Sequence, residues 1–233
     1  MASPSASCLA ALLWLLASPL HAQPITIGLK AGATQATIYS GPNDPFQTRF
    51  RTGFTAGAFA TVPLNSRFAV HPEAVVVRRG TRTDGFLANG EILETTYLDV
   101  PVLLAHTFPL AGIPGSDGHV AVGPTVGVKL SEQARRIRYF TGVRFVEELD
   151  TPFVNPLDVS VSLAGGTTFK AGRARIGLDV RYAYGLVDTA RQPDYLSVLS
   201  GDERTSAIES VNKNRSFSFS LSVGLAISPD RPR

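Results

Sequence analysis

Lys30, His71, Glu73, Asp99, Lys129, Asp158, Lys170, Arg175, Asp179 and Arg181 all fall on one parity of segments that otherwise alternate between large apolar and small residues. Carboxylates beside a histidine are the parts of general acid–base catalysis, so Glu73, Asp99 and Asp179 with His71 as base describe one conceivable centre. That chemistry also needs an activated nucleophile, and no Gly-x-Ser-x-Gly elbow occurs. Metal ligation fares no better. His71, His106 and His119 lie on separate segments without His-x-x-x-His spacing, and His21 lies in the N-terminal apolar region. Opposed charges on one parity instead describe a hydrogen-bonded structural network, with Lys30, Glu73, Asp99, Lys129, Asp179 and Arg181 at its heart. No catalytic residue, cofactor or metal is expected.

The elements that must hold those charges are strands. From Ser216 to Ile227 the chain alternates without a break: Phe217, Phe219, Leu221, Val223, Leu225 and Ile227 on one face, and Ser216, Ser218, Ser220, Ser222, Gly224 and Ala226 on the other. A face turned to bulk water carries Lys, Glu or Gln; Ser, Gly and Ala suit a cramped, wet interior. The apolar face is therefore expected to meet lipid, as in a narrow transmembrane β-barrel. The same period predicts strands at Ile25 to Tyr39, Thr52 to Val62, Phe68 to Arg79, Leu93 to Phe108, His119 to Leu130, Asp158 to Lys170 and Arg173 to Val187. The fold expected is all-β: an eight-stranded antiparallel up-and-down transmembrane barrel.

The connections alternate in length. Ser40 to Arg51, Gly80 to Ile92, Ser131 to Leu157 and Asp188 to Asn214 are long, whereas Pro63 to Arg67 and Ala171 to Gly172 are short and Pro109 to Gly118 is modest. In an up-and-down barrel this parity gathers the long loops at one end and the turns at the other, with both termini on the turn side, expected to be periplasmic. Eight strands enclose a lumen that side chains just fill. A lumen packed with opposed charges is expected to be a plug and not a wide pore, because a charge left unpaired there is costly.

Ahead of the first strand lies an apolar run from Leu9 to Leu16, followed by Ala17-Ser18-Pro19-Leu20-His21-Ala22. It is too short for a spanning helix and reads as a secretory signal cleaved after Ala22, leaving residues 23–233 as one barrel domain. Cys8, the only cysteine, falls in this leader, so the exported chain is expected to lack thiols. The formal net charge of +3 is spread along a chain of mixed signs and does not single out nucleic acid. The densest basic runs, Arg78-Arg79-Gly80-Thr81-Arg82 and Arg135-Arg136-Ile137-Arg138, sit near predicted strand ends and read as solvated loop bases, with lipid phosphate binding as the alternative.

An ordered series of short pieces carries a family likeness: Gly28-Leu29-Lys30-Ala31-Gly32, Gly53-Phe54-Thr55-Ala56-Gly57, Phe68-Ala69-Val70-His71-Pro72-Glu73, Tyr97-Leu98-Asp99-Val100-Pro101, Val122-Gly123-Pro124, Leu163-Ala164-Gly165-Gly166 and Arg181-Tyr182-Ala183-Tyr184-Gly185-Leu186. Together they resemble the PorT-like family of small outer-membrane β-barrels. The resemblance implies an outer-membrane location and the architecture of OmpX and the membrane part of OmpA, with no catalytic residue to carry over. One departure is that the last strand ends at Ile227 and not at an aromatic residue. The function expected is that of a non-enzymatic integral outer-membrane barrel with long surface loops, in contact with outer-membrane lipid and lipopolysaccharide and with envelope proteins. Two alternatives are an accessory component of a secretion machine and a soluble lipocalin-like carrier. The carrier would turn the large apolar residues inward.

Overall fold

In a strand with one face of Phe, Leu, Val and Ile and another of Ser, Gly and Thr, the edges remain the problem, because unpaired N–H and C=O groups cannot be left in hydrocarbon. The chain solves it by closure. The computed structural model describes residues 24–39, 47–84, 90–140, 143–149, 154–188 and 213–227. These form β1 (Ile25–Tyr39), β2 (Gln47–Pro63), β3 (Phe68–Asp84), β4 (Gly90–Pro109), β5 (Ser116–Phe140), β6 (Val143–Leu149), β7 (Leu157–Ala171), β8 (Ala174–Gly185) and β9 (Lys213–Ile227). The order β4-β3-β2-β1-β9-β8-β7-β5 returns on itself through β4–β5 pairing, so eight antiparallel strands make a closed barrel. Its seam joins the first strand to the last, from Ile25 opposite Ile227 to Tyr39 opposite Lys213.

The sidedness follows the alternation. Leu29, Leu163 and Leu225 are 69%, 58% and 60% exposed on the barrel exterior. Leu221 and Phe219 fan outward with them instead of converging on a dry centre, the reverse of the carrier arrangement. Among the described residues no helix is long and apolar enough to cross a membrane. β8, with 12 residues, is about 40 Å long at roughly 3.3 Å per residue, which spans a hydrocarbon layer of roughly 30 Å when tilted.

Two expectations need correction. The segment Ser131 to Leu157 is not simply a long loop: β5 continues to Phe140 and turns back as β6, a ninth strand that pairs with β5 outside the ring. Arg135 opposite Glu148 and Arg138 beside Glu147 give that hairpin complementary charges across its strands. β3 and β4 likewise run on to Asp84 and back from Gly90, so among the described strands those from β3 to β5 extend furthest at this end. Residues 1–22, expected to be a leader, most of the loop 40–51 and most of the loop 188–214 lie outside the described residues.

The lumen is also less uniformly small than expected. Phe59, Val75, Val77, Tyr97 and Leu103 point inward and are buried beside Thr34, Ser162 and Ser222. Bare backbone opposite them makes the room. A Cβ on Gly28 would lie 2.6 Å from Phe59 Cε1, and one on Gly127 would lie 2.5 Å from Asp99 Oδ1.

Candidate functional site

Alternation sends every second residue of β1, β3, β4, β7, β8 and β9 into the lumen, and register decides which of them meet. Three layers of polar contacts result.

The middle layer is built on Glu73 of β3, whose carboxylate is fully withdrawn from solvent. Lys30 Nζ donates to its Oε1 at 3.0 Å, and Arg181 Nη1 donates to its Oε2 at 2.9 Å while Nη2 donates to Oε1 at 2.5 Å. This two-pronged geometry fixes the guanidinium plane as well as neutralising the charge. His71 Nε2 lies 3.2 Å from Glu73 Oε1, its Nδ1 bonds Thr61 Oγ1 at 2.9 Å, and its ring stacks on Phe59 with centroids 5.1 Å apart. Buried Leu103, Ala105, Ala121 and Ala164 form an apolar cluster among the inward-facing residues of β4, β5 and β7.

Towards the long-loop end lies a second, drier layer. Arg79 Nη1 donates to Asp158 Oδ2 at 2.8 Å and Nη2 donates to Asp99 Oδ2, so one guanidinium joins β3 to both β4 and β7. Asn214 Nδ2 donates to Asp158 Oδ2 at 3.2 Å, and the Tyr97 ring lies 5.2 Å from Arg79 Cζ. The cavity beside Arg79, Tyr97 and Asn214 is only about 10 Å³, room for one water at most.

The third layer faces the terminus end. His119 Nε2 and Asp179 Oδ1 are 2.8 Å apart, and Ser222 Oγ donates to Asp179 Oδ2 at 3.5 Å. These groups line a vestibule of about 280 Å³ that extends from Pro24, Asn65 and Arg67 at the rim to His71 and Asp179 inside. Lys170 pairs with Asp117 at this end, and Arg175 Nη1 donates to the Gly172 carbonyl of the β7–β8 turn at 2.7 Å.

Of the residues singled out in the sequence, Lys30, Glu73 and Arg181 meet in one layer, Asp99 belongs to the second and Asp179 to the third. Lys129 stands apart: its Nζ donates to Glu132 Oε2 at 2.6 Å and to the Val154 carbonyl at 2.5 Å, near the long-loop end. Sequence reasoning missed Arg79. Reading the run from Arg78 to Arg82 as a solvated loop base is wrong for this residue, which is 5% exposed. A signal was present: Arg79 shares the parity of His71 and Glu73, and β3 continues past it. His71 and His119, far apart in the chain, both reach the vestibule, yet among the described residues no three metal-capable groups converge.

A closed ring of eight strands, apolar outside and ion-paired inside, narrows the comparison with known proteins to small barrels. Residues 21–191 match the model of a family described as the outer membrane protein beta-barrel domain. The chain belongs to that family. Outer-membrane beta-barrel domains therefore supply its architecture, and β9, beyond the matched region, completes the ring. The crystal structure of OprG from Pseudomonas aeruginosa is similar to it at a TM-score of 0.56 and 12% identity, covering 90% of this chain and 98% of that one. Neisserial surface protein A aligns at a TM-score of 0.44 and 11% identity, over 86% of this chain and 97% of that one. At 12% identity the likeness to OprG speaks for the fold alone. No curated protein matches the chain.

Proposed function

We propose that this chain is a non-enzymatic integral outer-membrane barrel that presents its long-loop end to partners outside the cell while its lumen stays shut. The observation that carries the reading is the contrast between a lumen crossed by ion-paired layers and a wall, β3 to β6, that continues well beyond the apolar belt. β5 alone has 25 residues, about 80 Å of strand, more than twice what a tilted crossing needs. Strand that membrane crossing does not require is there to display surface, and loops on rigid supports are where recognition concentrates. Export would follow the leader 1–22, the termini would face the periplasm, and lipopolysaccharide and envelope proteins would be the neighbours met at the long-loop end.

The test is conductance together with capture. Barrel refolded into planar bilayers should give no sustained wide-pore current, and cross-linkers installed in the β5–β6 hairpin should trap surface or envelope partners. A steady large conductance in the wild type would defeat the plugged-lumen reading.

The ordered pieces that resemble the PorT-like family support a second reading, an accessory component of a secretion machine. Here the barrel would co-purify in fixed ratio with other envelope proteins. Recovery as a free-standing barrel under mild extraction would count against it.

A further inference from the structure

The barrel exterior changes character abruptly on one wall. Ala56, Val76, Leu98 and Val128 face one another in a single row across β2, β3, β4 and β5, and this row is part of the apolar belt. The next outward position of β3 towards the long-loop end is Arg78, opposite Thr96. One step further, Gly80 lies opposite Glu94, and a Cβ on Gly80 would lie 2.8 Å from Arg51 Cδ. Arg51 thus crosses above bare backbone to reach Glu94. The row beyond that aligns Arg49 with Arg82, Ile92 and Arg135. Over three successive rows the exterior of β2 to β5 carries Arg49, Arg51, Arg78, Arg82 and Arg135, with Glu94 set between Arg51 and Arg78 and Glu148 of β6 beside Arg135.

The arrangement is built. Register shifts between Phe50 and Thr55 of β2 against β3, which lets Arg51 share the outer face with Gly80. Glu94 then holds two guanidiniums at once: Arg51 Nε donates to Oε1 at 2.9 Å and Arg78 Nη2 donates to Oε2 at 2.7 Å. Glu94 is 11% exposed in its side chain, whereas Arg51 and Arg78 remain 32% and 41% exposed. A guanidinium has five N–H donors, and Glu94 engages only part of each fork. The opposite wall differs: Lys213 and Arg215 lie over the Tyr184 ring at 5.4 Å and 5.3 Å, a cation–π contact with no comparable field of arginines among the described residues there.

Resting on the reading above that the long-loop end faces outward, we propose that this arginine field binds the phosphate groups of lipopolysaccharide in the outer leaflet. The rows fit in height, because on β3 the cations begin at the next outward position, two residues beyond Val76 of the apolar belt, where a lipid's charged headgroup begins above its chains. They fit in charge, because Arg51 and Arg78, two part-exposed guanidiniums that share the single carboxylate of Glu94, keep donors for the oxygens of a phosphorylated headgroup, and Arg is suited to two-pronged phosphate recognition. Gly80 and Glu94 act as positioning residues that aim Arg51 and Arg78.

The test uses the full barrel in nanodiscs or detergent, with phosphorylated lipid A, dephosphorylated lipid A, phosphatidylglycerol and inorganic phosphate as separate probes. Wild type should bind phosphorylated lipid A more tightly than its dephosphorylated form, with affinity falling as salt rises. Each arginine removed should weaken binding about fivefold, as expected for a basic side chain near an anionic lipid surface. The variant Arg51→Gln/Arg78→Gln/Arg82→Gln should therefore lose well over tenfold, while Lys213→Gln/Arg215→Gln on the opposite wall should lose little. Gly80→Ala should weaken binding by displacing Arg51 while every charge is kept, a change that net charge alone does not explain. Equal binding by the triple variant, equal losses on both walls, or capture of inorganic phosphate or phosphatidylglycerol as tight as that of lipid A would overturn the proposal. Labelling that placed the long-loop end in the periplasm would instead overturn the orientation on which it rests.

Discussion

The two ends of the lumen are made from the same residue types and behave oppositely. At the long-loop end Arg79, Asp99, Asp158 and Asn214 close on one another around a cavity of about 10 Å³, with Tyr97 covering the guanidinium. At the terminus end His119, Asp179, Arg175 and Lys170 line a vestibule of about 280 Å³ that reaches inward to His71. Tyr97 and Val77 fill space around the first set, whereas Thr26, Thr61, Thr168 and Ser222 ring the second, so the first admits one water at most and the second can fill with solvent. The lesson concerns what an ion pair contributes in each place. Where water is excluded, a pair is a lock whose loss strands a charge; where water enters, the same pair is nearly optional.

The sharpest way to break the contrast is Arg79→Met, which leaves Asp99 and Asp158 facing each other without their shared cation. It should destabilise the barrel by about 3–5 kcal/mol, read as a lowered denaturant midpoint in lipid vesicles. Adding Asp99→Asn and Asp158→Asn should recover much of that loss; failure to recover would mean that Arg79 acts through packing and not through charge. Glu73→Gln comes next. It removes the carboxylate shared by Lys30 and Arg181, but Arg181 lies near the vestibule and retains some access to water, so a loss of about 2–3 kcal/mol is expected in the same assay. The smallest energetic effect belongs to His119→Gln, within about 1 kcal/mol, since both members of its pair with Asp179 are partly exposed. Cysteine scanning sharpens the comparison without an energy scale: Thr168→Cys, half-buried on the vestibule wall, should react with a small water-soluble thiol reagent and Thr34→Cys, 1% exposed, should not. Equal labelling at the two positions would erase the distinction between the ends.

Much of this was legible in the sequence because a β-strand's period is two. Once Phe217, Leu221 and Leu225 are assigned to lipid, parity alone puts Lys30, Glu73, Asp99, Asp179 and Arg181 inside, and the alternating loop lengths give the up-and-down order. What parity cannot supply is height. Whether Arg181 meets Glu73 or Asp99 depends on the stagger between strands, and register shifts, such as that between Thr96 and Tyr97 against β5, move it by a residue at a time. Arg79 was hidden because its neighbours Arg78 and Arg82 do face outward, so a hydrophilic run conceals one member that parity turns inward. The β5–β6 hairpin was hidden for a related reason: Arg135 to Arg138 and Glu147 to Glu148 look like solvated loop until paired across two strands.

The seam deserves a last consequence. Since Ile25 to Tyr39 bonds along its whole length with Ile227 to Lys213, the piece made first waits for the piece made last. Until then a newly exported molecule is an unfinished ribbon with two sticky margins, unfit for oil and prone to join its siblings. Its safe passage therefore requires that those margins stay covered until the seam forms, and any cut that removes the closing stave should leave no smaller cask behind.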